Sequence, residues 1–197
     1  MNRKIVLFDL GGVLVDLGDP VAAIGLDMSN DDFWQCWLSS PAVRGYETGR
    51  ISQRDFLREC GAGFGIPDAR QFAARIRRWQ LPLFAGAEEF LASVMKHVEV
   101  ALLSNTNEIH WQQVLSQTSV FGRFAKLFLS FETGNAKPDE QSFLDVVEYF
   151  DRAPDDIVFL DDNPQNIATA SAIGFRAYQT RGIEEARQHL IREGIDA

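Results

Sequence analysis

Cysteine is scarce in this 197-residue chain: Cys36 and Cys60 are the only two, and they form no CxxC pair. A disulfide scaffold is thereby excluded, and both thiols are read as buried and inert. Histidine is equally sparse, with His97, His110 and His189 scattered, so no zinc cluster is recognisable. Long apolar runs are missing too. The run that begins at Ile5, behind the basic pair Arg3-Lys4, is broken at Asp9, too soon for a signal-peptide core or a membrane span. Positive charge is in deficit, with 19 Lys and Arg against 28 Asp and Glu and a net charge of −9. Such a surface opposes binding to nucleic acid or to anionic membranes. A cytoplasmic protein with neither partner is expected, of open oligomeric state.

Nucleotide-binding glycine motifs are also absent. Gly61, Gly63 and Gly65 begin a GxGxxG pattern, but Ile66 stands where the last glycine would fall, and no P-loop occurs. The three glycines with Pro67 read as a loop between helices. What the chain does have is 46% hydrophobic and 24% charged residues, the range of a globular domain with a real core.

Short apolar runs at Ile5 to Phe8, Val98 to Leu103, Leu127 to Leu129, Ile157 to Leu160 and Phe175 to Tyr178 alternate with helical segments. Alternating strands and helices predict an α/β fold with a Rossmann-like parallel sheet. Pro138 opens a helix over Asp139 to Phe150, and Pro164 opens one over Gln165 to Ala172 that Gly174 closes. Between the first strand and Val98 lies a stretch from about residue 16 to residue 84 with no second strand. Capping signals at Ser29 and Ser52, and at Asp68 before a helix over Ala69 to Trp79, make it helical.

Ligands of open parallel sheets bind beyond the carboxyl ends of the strands. The residues there are Asp9, Ser104 and the pair Asp161-Asp162, with Lys137 just before a helix start. Converging carboxylates repel unless a cation neutralises them, and Mg2+ with oxygen ligands suits the set. Ser104 and Lys137 supply a hydroxyl and a positive charge of the kind that holds a phosphoryl group. Taken singly, each has a plainer reading: Asp161-Asp162-Asn163 as a helix cap, Ser104 as a turn residue, Lys137 as a solvated lysine.

Phe8-Asp9-Leu10-Gly11-Gly12-Val13-Leu14, Leu103-Ser104-Asn105-Thr106-Asn107, Ala136-Lys137-Pro138 and Phe159-Leu160-Asp161-Asp162-Asn163 resemble, in order, the four motifs of the haloacid dehalogenase (HAD) superfamily. The resemblance implies a core domain over residues 1–15 and 85–197, with residues 16–84 as an inserted all-helical cap. It implies Asp9 as the nucleophile that becomes an aspartyl phosphate, with Lys137 as its catalytic partner. Ser104, Asn105 and Lys137 become phosphate ligands. Asp9, the Gly11 carbonyl, Asp161 and Asp162 become the Mg2+ site.

Gly11 departs from the family's phosphatase pattern, in which a second Asp serves there as general acid and base. A leaving group that needs little protonation, such as a sugar 1-phosphate, fits that loss. The Gly11 motif, the Asp-Asp-Asn motif and Glu47-Thr48-Gly49-Arg50-Ile51-Ser52 together resemble the bacterial glucose-1-phosphate phosphatase-like branch. Asp16 or Glu47 is a substitute acid on this reading, although Asp16 reads better as a turn or hinge residue. Arg44, Tyr46 and Glu47, in a polar stretch between cap helices, are candidate substrate contacts. Trp34 and Trp37 are assigned to the cap's own core, and Arg75, Arg77 and Arg78 to an exposed face. The function expected is an Mg2+-dependent hydrolase of a small phosphorylated metabolite. A weak phosphoacceptor or phospho-ligand switch, a 2-haloacid dehalogenase and a sugar phosphomutase stand as alternatives.

Overall fold

A computed structural model describes residues 4–197; Arg3 and the rest of the first three residues of the expected core segment lie outside them. Five strands, β1 (Ile5–Phe8), β2 (Glu99–Ser104), β3 (Lys126–Leu129), β4 (Ile157–Asp161) and β5 (Arg176–Gln179), form one parallel sheet in the order β3-β2-β1-β4-β5. Every strand bound lies within one residue of its expected place.

Between β1 and β2 the chain forms α1 (Pro20–Ile24), α2 (Asn30–Ser39), α3 (Pro41–Glu47), α4 (Gln53–Gly63), α5 (Ala69–Ile76) and α6 (Ala87–Val94). Helix α7 (Glu108–Leu115) follows β2, and the short α8 (Ser130–Thr133) follows β3. Then α9 (Glu140–Phe150) leads to β4, α10 (Pro164–Ile173) joins β4 to β5, and α11 (Gly182–Arg192) follows β5.

The central strands β1, β2 and β4 are apolar on both faces because helices cover both, whereas the edge strand β5 is partly exposed. Ile5 and Leu7 point to one side, with Leu103, Ile157 and Phe159, under Phe143 of α9 and Ala170 of α10. Val6 and Phe8 point to the other, with Leu102 and Leu160, under α6, α7 and α11. The second cluster runs on without a break into the insert, through Phe33, Trp37, Phe56, Phe72 and Trp79. None of the helices among the described residues is long and apolar enough to cross a membrane.

Local signals act as expected at most helix ends. The Ser29 and Ser52 hydroxyls accept from the N–H groups of Asp32 and Asp55, and donate to the same residues' carboxylates. Asn163 caps α10 and Gly174 ends it in a left-handed conformation. Three expectations fail. Gly61 and Gly63 lie inside α4 rather than in a loop; at Gly61 close packing requires the glycine, since a Cβ there would sit 2.7 Å from the Ile66 carbonyl and against Phe72, whereas Gly63 has open space beside it. Arg44, Tyr46 and Glu47 belong to α3, which Ser40 caps and Pro41 opens, rather than to a polar stretch. Cys36 is exposed; only Cys60 is the buried thiol foreseen for both.

The two linkers of the insert pair with each other. The Asp16 N–H donates to the Pro82 carbonyl at 2.8 Å, and the Phe84 N–H to the Leu14 carbonyl at 2.9 Å. The Trp79 indole N–H then donates to the Leu17 carbonyl at 2.7 Å, which ties the end of the insert to its beginning.

At the opposite end of the sheet, Glu193 accepts from Lys4 before β1 and from Arg176 of β5. Burial pushes its carboxyl up, but hydrogen bonds from Lys4, Tyr178 and Arg176 outweigh that and hold it at about 2. A depressed carboxyl stabilises the fold above its unfolded value, and the gain is lost as pH falls toward the folded one. Glu193→Gln is therefore expected to lower the melting temperature at pH 7. Thermal unfolding across a pH series should show the difference shrinking between about pH 4.5 and pH 2.

Candidate active site

The site grows from the strand ends. Asp9 follows β1, and its N–H still donates to the Leu160 carbonyl at 2.8 Å, which sets it beside Asp161 at the end of β4. Ser104 is the last residue of β2 and is buried. Lys137, also buried, precedes α9, with its ammonium 2.7 Å from Asp9 Oδ1 and 2.6 Å from Asp161 Oδ2.

The lysine is held through its own backbone. Asn105 accepts from the Lys137 N–H and donates to the Lys137 carbonyl, both at 2.8 Å. Arg44 reaches across from α3 to the carbonyls of Ala136 and Lys137 at 3.3 and 3.2 Å, and pairs with Asp139.

Three carboxylates face this single ammonium. Burial pushes Asp9 up to about 7; Lys137 opposes the shift, while the charges of Asp161 and Asp162 add to it. Asp162 is raised as well, by burial and by Asp161. Desolvation works against the Lys137 ammonium, but Asp161 and Asp9 outweigh it and keep the group protonated.

A further positive charge is what this arrangement lacks. One oxygen from each of Asp9, Asp161 and Asp162 lies within 4.8 Å of the others. Asn166 lines the same cavity, and its Oδ1 atom is buried without a hydrogen-bond partner among the described residues. A donor set made wholly of hard oxygens, with an acceptor to spare for a bound water, fits Mg2+. Asp161 is the most committed of the three: its oxygens already accept from Lys137, the Asn163 N–H and the Asn166 amide. Asp162 is half-buried and freer to meet a cation. Gly12 makes room for it, with φ of +72° and a position where a Cβ would lie 2.7 Å from Asp162 Oδ2.

A cavity of about 570 Å³ opens over these groups and takes in Asp9, Gly11, Ser104, Asn105, Lys137 and Asp162. The residues proposed for substrate contact in the insert do not join them. Arg44 is spent on the Lys137 segment. Tyr46 is buried, stacked on Phe56 at 4.6 Å with its hydroxyl toward Gln53, and burial pushes it up to about 12. Glu47 is half-buried, and desolvation pushes its carboxyl up to about 7 against the pull of Arg44 and a hydrogen bond from Trp37. Neither Tyr46 nor Glu47 is among the lining residues, and exposed Asp16 is turned into its own loop, accepting from the Gly18 N–H at 2.9 Å. Trp34 and Trp37, assigned to the cap's core, belong both to that core and to the cavity wall. His110, Asn166 and Arg181 also line the cavity and were missed; Asn166 alone carried a signal, one turn beyond the Asp161-Asp162 pair on α10.

Residues 3–174 match the haloacid dehalogenase-like hydrolase family. The chain belongs to that family. It is 26% identical over 209 residues to D-ribitol-5-phosphate phosphatase of Bacteroides thetaiotaomicron, covering 95% of this chain and 96% of that one. A sesquiterpene phosphatase of Aspergillus oryzae is 25% identical over 87% of this chain and 86% of its own. The crystal structure of a HAD family enzyme from Bacteroides thetaiotaomicron, solved as a magnesium complex, superposes with a TM-score of 0.79 at 27% identity, covering 98% of this chain and all of that one.

Gly12→Ala is expected to weaken Mg2+ binding at least about tenfold, because the methyl group and the strained φ both push on Asp162. Isothermal titration with Mg2+ of the folded variant checks this, and unchanged affinity would remove Asp162 from the metal site.

Proposed function

We propose that this HAD hydrolase is an Mg2+-dependent phosphomonoesterase that acts on a small phosphorylated metabolite through a phosphoryl group carried on Asp9. The observation that carries the reading is the Lys137 ammonium set between Asp9 and Asp161 at 2.7 and 2.6 Å, beneath a cavity that also takes in Ser104 and Asp162.

Asp9 Oδ1 accepts from both Leu10 N–H and Lys137, which fixes the carboxylate and leaves Oδ2 to attack phosphorus. The new P–Oδ2 bond forms as the bond to the leaving oxygen breaks; water then cleaves the acyl phosphate, releasing phosphate and restoring Asp9. Lys137 and the Ser104 hydroxyl face the phosphoryl oxygens, whose negative charge persists throughout transfer. Asp161 keeps Lys137 charged and in place. Asp9, Asp162, the Gly11 carbonyl and, directly or through water, Asp161 would hold Mg2+, which would supply charge neutralisation at the phosphoryl group.

The insert is read as a cap, residues 16–84, over a core of residues 1–15 and 85–197. Two free cysteines suit a reducing compartment, which supports the cytoplasm. The named relatives support a phosphatase and leave the body of the substrate open, one acting on a polyol phosphate by its name and the other on a sesquiterpene. Sugar 1-phosphate was the sequence's suggestion; its support is the weakly basic leaving oxygen that Gly11 calls for. A haloacid dehalogenase would leave the convergence of three carboxylates without a purpose.

Phosphate release from a panel of phosphomonoesters, with Mg2+ or with EDTA, tests the reading. Turnover should need Mg2+, and Asp9→Asn should lower kcat by at least about 10³-fold. Full activity in Asp9→Asn would overturn the nucleophile assignment, and Mg2+ binding without turnover of any substrate would favour the phosphoacceptor switch.

A further inference from the structure

The two walls of the cavity differ in kind. Every charged or amide group that lines it comes from the core, whereas the insert and its linkers contribute Trp34, Trp37, Leu38, Trp79, Leu17 and Leu81. Leu38 is 73% exposed, the most exposed large hydrophobic side chain among the described residues, so the apolar surface continues out to the mouth. A polyol body would find hydrogen-bond partners on the core wall alone, and the hydroxyls facing the insert would lie against indole and aliphatic faces.

One polar group interrupts that wall. The His110 ring stacks on Trp37 at 5.9 Å and meets Trp79 edge-on at 4.8 Å. Its Nδ1 is 3.2 Å from the Asn107 amide, whose oxygen is already fixed as the cap of α7 by accepting from the His110 N–H. The Asn107 nitrogen therefore donates to Nδ1, and the ring proton belongs on Nε2. His110 lines the cavity, and its Nε2 is buried without a partner among the described residues. Burial holds the imidazole down at about 4, so at neutral pH it donates a hydrogen bond and carries no proton to spare.

The leaving oxygen is the other constraint. Among the described residues, the only carboxylates that line the cavity are Asp9 and Asp162, both in the proposed metal site. A side chain at Gly11 would meet Leu17 Cδ2 at 3.1 Å, so aliphatic packing occupies the place beside it. With no free acid among these residues, a weakly basic departing oxygen suits the site; anomeric and phenolic oxygens both meet that need, and the apolar wall favours the phenolic one.

Resting on the phosphomonoesterase reading, we infer that the substrate is an aryl phosphate: a flat aromatic body between the tryptophans, esterified through a ring oxygen and bearing one acceptor that receives the His110 Nε2–H.

Steady-state kinetics with Mg2+ test it. Wild-type turnover of acetyl phosphate, which has no such body, reports the hydrolytic machinery alone; its absence would sink the underlying reading. With that turnover present, kcat/KM for phenyl phosphates should exceed that for pentitol and hexose phosphates at least about tenfold, and parity or reversal would overturn the aromatic assignment. Between 3-methoxyphenyl and 3-ethylphenyl phosphate, close in size and leaving-group basicity, the methoxy compound should lead by about 2–10-fold through KM. His110→Phe keeps the ring and removes the donor, and should erase that ratio. A ratio near one in the wild type, or one that survives in His110→Phe, would exclude the histidine contact.

Discussion

The ammonium of Lys137 between two carboxylates is the interaction on which the rest of the site depends. Parallel pairing of β1 with β4 matches Phe8 to Leu160, so the next residues, Asp9 and Asp161, are forced side by side in the interior. Two buried carboxylates cannot both stay ionised at that distance without compensation. Lys137 arrives from outside the sheet to supply it. Asn105 from the end of β2 and Arg44 from α3 grip the backbone that carries it. Strand ends, the segment before α9 and the insert thus converge on one charge. One ammonium against three carboxylates still leaves the centre negative, which is the electrostatic reason for a divalent cation and an anionic substrate to arrive together.

Packing explains why the insert is not a separable unit. Its aromatic residues share a single apolar cluster with one face of the sheet. Phe33 alone meets Trp34, Trp37, Phe64 and Trp79 at 5.3 to 5.6 Å. The same residues that complete its core also face the cavity, so positions that hold the insert together are the ones that touch whatever enters. The paired linkers and the Trp79–Leu17 hydrogen bond fix how that wall stands over Asp9.

Asp9, Ser104, Lys137 and the Asp161-Asp162 pair were legible in the sequence because parallel strands place their last residues at one edge, and a polar residue ending an apolar run is visible in one dimension. What α3 does was not. Arg44, Tyr46 and Glu47 are polar and close in sequence, but the helix turns them to the Lys137 segment, to Phe56 and to Trp37 respectively, and those directions are set by tertiary packing. Gly61 and Gly63 read as loop residues by type, whereas the close approach of Ile66 and Phe72 to α4 is what requires the first of them. Asn105 was expected to meet phosphate; its side-chain amide is hydrogen-bonded to the backbone of Lys137, a partner that only the fold brings to it. His110 was invisible because its meaning lies in a tautomer, and a tautomer is settled only by neighbours.

Gly11 and Leu17 are best understood as a pair. Loss of an acid side chain beside the nucleophile would ordinarily leave space for water, which relays protons and wets the cavity. Here Leu17 fills the place instead, 3.1 Å from where a Cβ would stand, and is itself part of the cavity wall. The chain has therefore exchanged a proton donor for apolar contact at one position. On the proposed reading, slower departure of basic leaving groups and firmer contact with an apolar body would follow together, because Leu17, six residues after Gly11, serves both the packing at Gly11 and the cavity wall.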